Sequence, residues 1–275
     1  KLYPRNEAKV SVFDSSVQGG DAVWEGLRVY NGKVFCLAEH LERLQASAHA
    51  MMFADVPDND FIATAIYATL KANGMSDGAH IRLTLTRGEK ITSGMDPRLN
   101  QSGCTLIVLA EWKAPVYQNA VTLITSSIRR NGPANIDSKI HHNNLINNIL
   151  AKIEANNAGA DDALMLDNNG FVAETNACNI LMIKNGMVFT PNADACLPGI
   201  TRKTVITLCQ QNNIPIHLKN ISLTEMYNAD QVFTTGTMGE LTAVKMIDGR
   251  AIINRSGTDL LQHINDLFRN LTLAL

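Results

Sequence analysis

A chain of 275 residues has room for two modest domains or one large one, and 45 % hydrophobic with 18 % charged residues is an ordinary globular composition. A formal net charge of −2, with basic residues scattered apart from Arg129-Arg130, argues against nucleic acid as a partner. No apolar run approaches the ~20 residues of a membrane span, and no charged-then-apolar signal segment opens the chain, so no membrane partner is expected.

In chain order, residues 10–13 read as a strand, followed by a break at Gly19-Gly20-Asp21 and a second strand over 26–30. Asn31-Gly32 is a two-residue hairpin signal that returns the chain through 33–37. Leu41, Leu44, Ala48 and Met51 recur at helical spacing and predict a helix over 38–52; a second covers about 58–73 and stops at Gly74. Strands follow at 80–86 and 105–111. Pro115 marks 112–118 as a linker. Beyond it, 120–127 reads as a strand and a Gly-Pro loop runs to Lys139. Leu145, Ile149 and Ile153 recur every four positions, which predicts one amphipathic helix over 140–157. Asn169-Gly170 and Asn185-Gly186 each sit between short apolar runs and predict hairpins over 162–174 and 179–190. Gly199 opens a helix to about 212, extended segments follow at 214–218 and 231–235, and Asp248-Gly249 makes a last turn before a helix from 256.

Strands and helices mix without regular alternation, and hairpins are frequent, which predicts an α+β fold. No G-x-G-x-x-G follows a strand, so a dinucleotide fold is disfavoured. The linker divides the chain into a smaller N-terminal domain over 1–112, a connection at 113–117 and a larger domain over 118–275. Five cysteines are spread singly with no C-x-x-C, which predicts neither a zinc ribbon nor a redox dithiol and suits a reducing cytoplasm. The chain opens at Lys1 rather than Met, as a chain with a few residues trimmed would.

Four anchors stand in order: Lys139, Glu174, the run Leu197-Pro198-Gly199-Ile200-Thr201-Arg202, and Gly236-Thr237; Arg43 joins them from upstream. Together they offer an amine, a carboxylate, two turns suited to phosphate and a guanidinium. That set is what a protein needs to hold pyridoxal phosphate covalently and use it as an electron sink. Each has a plainer reading. Lys139 reads equally as a surface cation, Glu174 as a turn carboxylate, Gly199 as a simple helix start, Gly236-Thr237 as a bulged turn and Arg43 as the i,i+4 partner of Glu39.

The order and spacing resemble the class IV aminotransferases, the fold-type IV pyridoxal-phosphate enzymes, and within them most nearly the branched-chain amino acid aminotransferases. The resemblance implies a two-domain fold and a homodimer that exchanges an amino group between an amino acid and a 2-oxo acid. It implies Lys139 as the Schiff-base and proton-transfer lysine, partly desolvated, with Glu174 at the pyridine nitrogen. The Ile200 and Thr201 amides after Gly199, together with Gly236, Thr237 and Arg43, would hold the phosphate, and Leu197 would pack on the ring. Met238 and Gly239 amides would meet a substrate carboxylate. Trp24-Glu25-Gly26-Leu27-Arg28 and His80-Ile81-Arg82 resemble substrate-facing strands, making Trp24, Arg28, His80 and Arg82 substrate-binding candidates; the arginine after His80 would receive the side-chain carboxylate of glutamate. Trp24 stands where a Phe is usual and His80 where a Tyr is. Asn144 and Gly19 stand where further tyrosines are expected. Those departures leave D-amino acid transaminase, (R)-amine transaminase and aminodeoxychorismate lyase as alternatives, beside a cofactor-binding protein without turnover and a structural module whose Lys139 is merely solvated.

Overall fold

The computed structural model describes residues 1–117 and 119–275; Gln118, where the expected linker meets the larger domain, lies outside the described residues. Two compact units emerge, Lys1–Ala114 with Ile140–Asn144, and Pro115–Lys139 with Leu145–Leu275.

In the first unit the expected strand over 10–13 is instead a turn leading into a short helix, α1 (Ser15–Gly19). The cause is Asp14. Its buried carboxylate accepts from Ser16 N at 2.9 Å, capping the helix, and from Thr86 Oγ1 at 2.9 Å. Strands β1 (Ala22–Tyr30) and β2 (Lys33–Val34) form the expected hairpin, with Asn31 and Gly32 at φ 48° and 80°, the left-handed pair of a type I′ turn. β2 is shorter than expected, because Cys36 at φ 49° turns the chain into α2 (Leu37–Ala50). Helix α3 (Asn59–Ala72) is capped by Asp58, whose side chain accepts from Phe61 N at 2.7 Å. Strands β3 (Ala79–Thr86) and β4 (Thr105–Trp112) complete an antiparallel sheet in the order β2-β1-β3-β4. Alternation along β1 and β3 sends Val23, Leu27, Ile81, Leu83 and Leu85 into a core with Leu41, Leu44, Ile62 and Ile66. The register pairs Trp24 with Thr84, Gly26 with Arg82 and Arg28 with His80, so these residues share the opposite face.

Residues 140–144 are not helical. Trp24 N donates to His141 O at 2.9 Å and Asn143 N donates to Ala22 O at 2.8 Å, so this segment takes up main-chain groups along β1.

In the second unit come β5 (Val121–Thr125), α4 (Ile146–Asn157), β6 (Asp162–Leu166), β7 (Val172–Thr175), β8 (Asn179–Lys184) and β9 (Met187–Thr190). These are followed by α5 (Ile200–Gln211), β10 (Ile216–Leu218), α6 (Leu223–Tyr227), β11 (Gln231–Gly236), β12 (Glu240–Ile247), β13 (Arg250–Ala251) and α7 (Leu260–Leu273). The strands form one mixed sheet, β10-β9-β8-β11-β12-β5-β6-β7, with β13 on β12. α7 starts at Leu260 because the Asp259 side chain caps it, accepting from Gln262 N at 3.0 Å. α4 reverses the expected face. It buries Ala151 and Ala155 against Ala163 and Met165, while Ile149 and Ile153 are 53 % and 47 % exposed. Small alanines let the helix lie close on the sheet, which the periodicity of larger residues hid.

Candidate active site

In the second unit the centre of the arrangement is Glu174 on β7, only 5 % exposed. Its Oε1 accepts from Arg130 Nε at 2.6 Å and its Oε2 from Asn179 Nδ2 at 3.0 Å; Leu197 N lies 3.4 Å from both oxygens. Burial pushes this carboxyl upward, and the Arg130 guanidinium opposes it. Asn179 Nδ2 also donates to Leu197 O at 2.9 Å, so one amide group ties the carboxylate to the turn before α5.

That turn needs its glycine. A Cβ on Gly199 would sit 1.9 Å from Asn179 Oδ1. Gly199 is the N-cap of α5 and offers no side-chain cap, so the first-turn amides of this helix, including those of Ile200 and Thr201, point outward as donors with the positive end of the helix behind them. Arg202 anchors the turn through Thr190 Oγ1 at 2.9 Å and Pro191 O at 2.6 Å.

The pairing of β8 with β11 sets Thr235 beside Asn179, immediately before Gly236-Thr237. Thr235 Oγ1 is buried with no hydrogen-bond partner in the protein. Cys178 packs so closely on Gly236 that a Cβ there would meet its Sγ at 2.8 Å. Burial pushes the Cys178 thiol up to about 12, so it is protonated at neutral pH. Met238 O accepts from Val116 N, and Gly239 O from Thr242 Oγ1.

Lys139 Nζ is 3.3 Å from Asp137 Oδ1 and 3.4 Å from Asp194 O. The loop from Pro191 to Gly199 therefore touches Lys139 through Asp194 and Glu174 through Leu197. The lysine side chain is 43 % exposed, so the desolvation expected of this amine is slight among the described residues.

In the first unit Arg43 is held by Glu25, with Nε to Oε1 at 2.8 Å and Nη2 to Oε2 at 2.6 Å. The phosphate role expected of it rests on resemblance alone. His40 Nδ1 and His141 Nδ1 approach the same carboxylate at 2.7 and 3.1 Å. Burial alone would raise Glu25, but His141, Arg43 and His40 outweigh it and hold the carboxyl well below its usual range. His141 itself is pushed down to about 4, burial exceeding the pull of Glu25, so its ring is a neutral donor at pH 7.

On the other sheet face, the Arg82 guanidinium lies 3.4 Å over the Trp24 ring and its Nη2 donates to Asn143 Oδ1 at 2.6 Å. Trp24 Nε1 donates to His142 O at 3.1 Å, and its ring is 4.0 Å from that of His141. His80 is 8 % exposed, its Nδ1 has no partner, and burial pushes it down to about 4. Arg28 Nη1 donates to Lys113 O at 3.4 Å. Gly20, the residue after Gly19, backs onto Asn144: a Cβ on Gly20 would be 3.7 Å from the Asn144 Cα.

Sequence reasoning missed Arg130, Asn179 and Asn143. Asn179 had a readable signal, a polar residue heading the apolar run Ile180-Leu181-Met182-Ile183.

The histidines give the first unit a defined acid response. A folded-state pKa near 4 against an unfolded value of 6.5 means that the unfolded chain takes the proton first. The contribution is complete above pH 6.5 and is lost as pH falls toward 4, about 2 kcal/mol from His141 alone by pH 5. His80 acts in the same direction. Both tryptophans, Trp24 and Trp112, lie in this unit. Urea melts followed by their fluorescence should therefore show a lower midpoint at pH 5 than at pH 7.5, and His141→Gln should flatten the difference. Equal midpoints at both pH values in the unsubstituted protein would contradict a neutral, buried His141.

The family profile described as amino-transferase class IV matches residues 22–247. Branched-chain-amino-acid aminotransferase-like protein 2 of Arabidopsis thaliana is 58 % identical over 274 residues, covering 99 % of this chain and 49 % of that protein. The putative branched-chain-amino-acid aminotransferase of Methanocaldococcus jannaschii is 36 % identical, covering 98 % of this chain and 94 % of the relative. Among solved structures, the branched-chain aminotransferase from the thermophilic archaeon Thermoproteus uzoniensis with norvaline superposes with a TM-score of 0.91 at 30 % identity, covering 100 % of this chain and 93 % of that one. The chain belongs to the class IV aminotransferases and has their fold. It spans about half the length of its Arabidopsis relative.

Proposed function

We propose that this chain is a pyridoxal-phosphate-dependent aminotransferase that moves an amino group between an L-branched-chain amino acid and 2-oxoglutarate, working as a homodimer. The observation that carries the proposal is Glu174, buried, held at both oxygens, and tied by Asn179 to a helix start with no side-chain cap, whose first-turn amides suit an anion. The residues fit the cofactor. A buried carboxylate raised by desolvation favours a cationic ring nitrogen beside it. The Gly199–Thr201 amides, the unpartnered Thr235 hydroxyl and the Gly236-Thr237 turn supply donors for a phosphate dianion.

Pyridoxal phosphate, when bound, supplies the electron sink that stabilises a carbanion at the substrate α-carbon. Lys139 Nζ would hold the cofactor covalently and would serve as the base and acid for the α-proton. Glu174 would keep a proton on the ring nitrogen, and the Arg130 guanidinium opposes the upward push of burial on that carboxyl. Leu197 would pack on the ring. Met238 and Gly239 amides are assigned to the substrate carboxylate, and Trp24, Arg28, His80 and Arg82 to the substrate side chain. A branched aliphatic chain suits the Trp24 face. The carboxylate of glutamate needs Arg82, because burying it unpaired costs several kcal/mol even after relaxation.

For the homodimer, support comes from α4, where Ile146, Ile149, Leu150 and Ile153 form an exposed apolar stripe. Half-reactions followed by the cofactor's absorbance, with L-leucine and then D-alanine as sole donor, test the substrate. Rapid conversion by L-leucine is expected, and conversion by the D-isomer alone would overturn the branched-chain assignment while keeping the transaminase. A monomer in light scattering at micromolar concentration would count against the dimer.

A further inference from the structure

Among the described residues five arginines are taken by carboxylates: Arg5 by Glu111, Arg43 by Glu25, Arg87 by Asp21, Arg98 by Asp96 and Arg130 by Glu174. Arg82 is different. It is half-buried on β3, and among the described residues no carboxylate lies within 4.0 Å of it. Its direct contacts are the π face of Trp24 at 3.4 Å and the amide oxygen of Asn143 at 2.6 Å, while the Glu25 carboxylate, already paired with Arg43, favours its charge from beyond 4.0 Å. Both direct contacts attract a cation and neither carries charge.

We propose that Trp24 and Asn143 are positioning residues that fix the Arg82 guanidinium as a ready receptor for a substrate side-chain carboxylate, and that their neutrality keeps its charge available. The proposal rests on the aminotransferase reading above and adds to it how discrimination between a dicarboxylate and an aliphatic substrate is set.

The geometry supports each part. A guanidinium lying on an aromatic ring keeps its N–H bonds directed outward in its own plane, and only one of its five is given to Asn143. The remaining edge matches a carboxylate in a two-point contact. The platform is itself fixed. Trp24 Nε1 is tethered to His142 O, and the opposing His141 ring is held by Glu25. A phenylalanine at this position would keep a ring but lose the tether, and indole binds a cation better than phenyl. Gly26, cross-strand from Arg82, adds no side chain beside the guanidinium. An aspartate in place of Asn143 would supply the same oxygen at the same reach, but would neutralise Arg82 as Glu25 neutralises Arg43.

The discriminating variant is therefore Asn143→Asp. Its kcat/KM with 2-oxoglutarate should fall about tenfold to a hundredfold, the range for losing a charge-assisted contact, and by much less with 4-methyl-2-oxopentanoate. Trp24→Phe should shift the same ratio in the same direction by a smaller factor, with Arg82→Ala setting the lower limit. A second readout avoids turnover. In holoenzyme carrying Trp112→Phe, so that Trp24 is the only tryptophan, glutarate should change the fluorescence saturably and 4-methylpentanoate should do so far less. Adding Asn143→Asp should abolish the glutarate response. Equal losses with both oxo acids, or an unchanged glutarate response in Asn143→Asp, would overturn the proposal. Loss of the glutarate response in a protein that never transaminates would uphold the receptor and overturn the reading beneath it. Should Asn143→Asp prove misfolded by circular dichroism, the Trp24→Phe ratio decides.

Discussion

Lys139→Ala is expected to leave a folded protein that no longer transaminates. The side chain is 43 % exposed and its contacts are a long pair with Asp137 and one main-chain oxygen, so its removal should change stability by no more than about 0.5 kcal/mol. Its chemistry is another matter. A positioned acid–base group contributes roughly 10²–10⁴ in rate, and here the covalent hold on the cofactor would be lost as well. Turnover should fall by at least that range, and borohydride should no longer fix pyridoxal phosphate to the chain. The phosphate donors at Gly199–Thr201 and Gly236-Thr237 remain in the variant, so reversible cofactor binding should persist, more weakly. A borohydride-fixed cofactor on any other residue, or turnover in the variant close to that of the unsubstituted chain, would remove Lys139 from this role.

Local signals in the sequence sufficed at three of the hairpin turns. Asn31-Gly32, Asn185-Gly186 and Asp248-Gly249 all turn the chain with both residues at positive φ, because Asn, Asp and Gly tolerate the left-handed region and few other residues do. The reading failed where distant groups decide. The spacing of Leu145, Ile149 and Ile153 predicts a helix from 140, but β1 provides partners for main-chain N–H and C=O groups of 140–144, and the helix starts only at Ile146. Residues 10–13 look like a strand, yet among the described residues the pairing here is confined to an isolated bridge, Asp14 with Glu89, and a bond from Lys90 N to Phe13 O, and Asp14 begins a helix instead. The same division runs through the candidate site. Glu174 and the Leu197–Arg202 run could be picked out by residue type and order. Arg130 and Asn179 could not, since their importance lies in reaching one carboxylate from 44 and 5 positions away. Asn143 is similar: it matters only because Arg82, 61 positions distant, ends 2.6 Å from it.

Glu174→Ala should damage the protein in two separable ways. The first is structural. Arg130 is buried and its Nε contact to Glu174 is 2.6 Å, so removing the carboxylate strands a buried cation, and stability should fall by about 3–5 kcal/mol. The Leu197 amide and the Asn179 side chain also lose an acceptor, which loosens the turn before α5. The second is chemical, because the group proposed to keep the ring nitrogen protonated is gone. These effects part company in the double variant Arg130→Met with Glu174→Ala. Replacing both members of a buried pair by apolar groups is often neutral or stabilising, so calorimetry should show most of the lost stability restored. Turnover at saturating pyridoxal phosphate should remain as low as in the single variant, because no apolar group can hold a proton on the ring. If the double variant regained activity together with stability, Glu174 would be a structural partner of Arg130 and nothing more. If Glu174→Ala alone were fully active at saturating cofactor, the carboxylate would not face the ring nitrogen at all. Only stability without turnover in the double variant is consistent with a carboxylate that Arg130 and Asn179 hold in place for the cofactor.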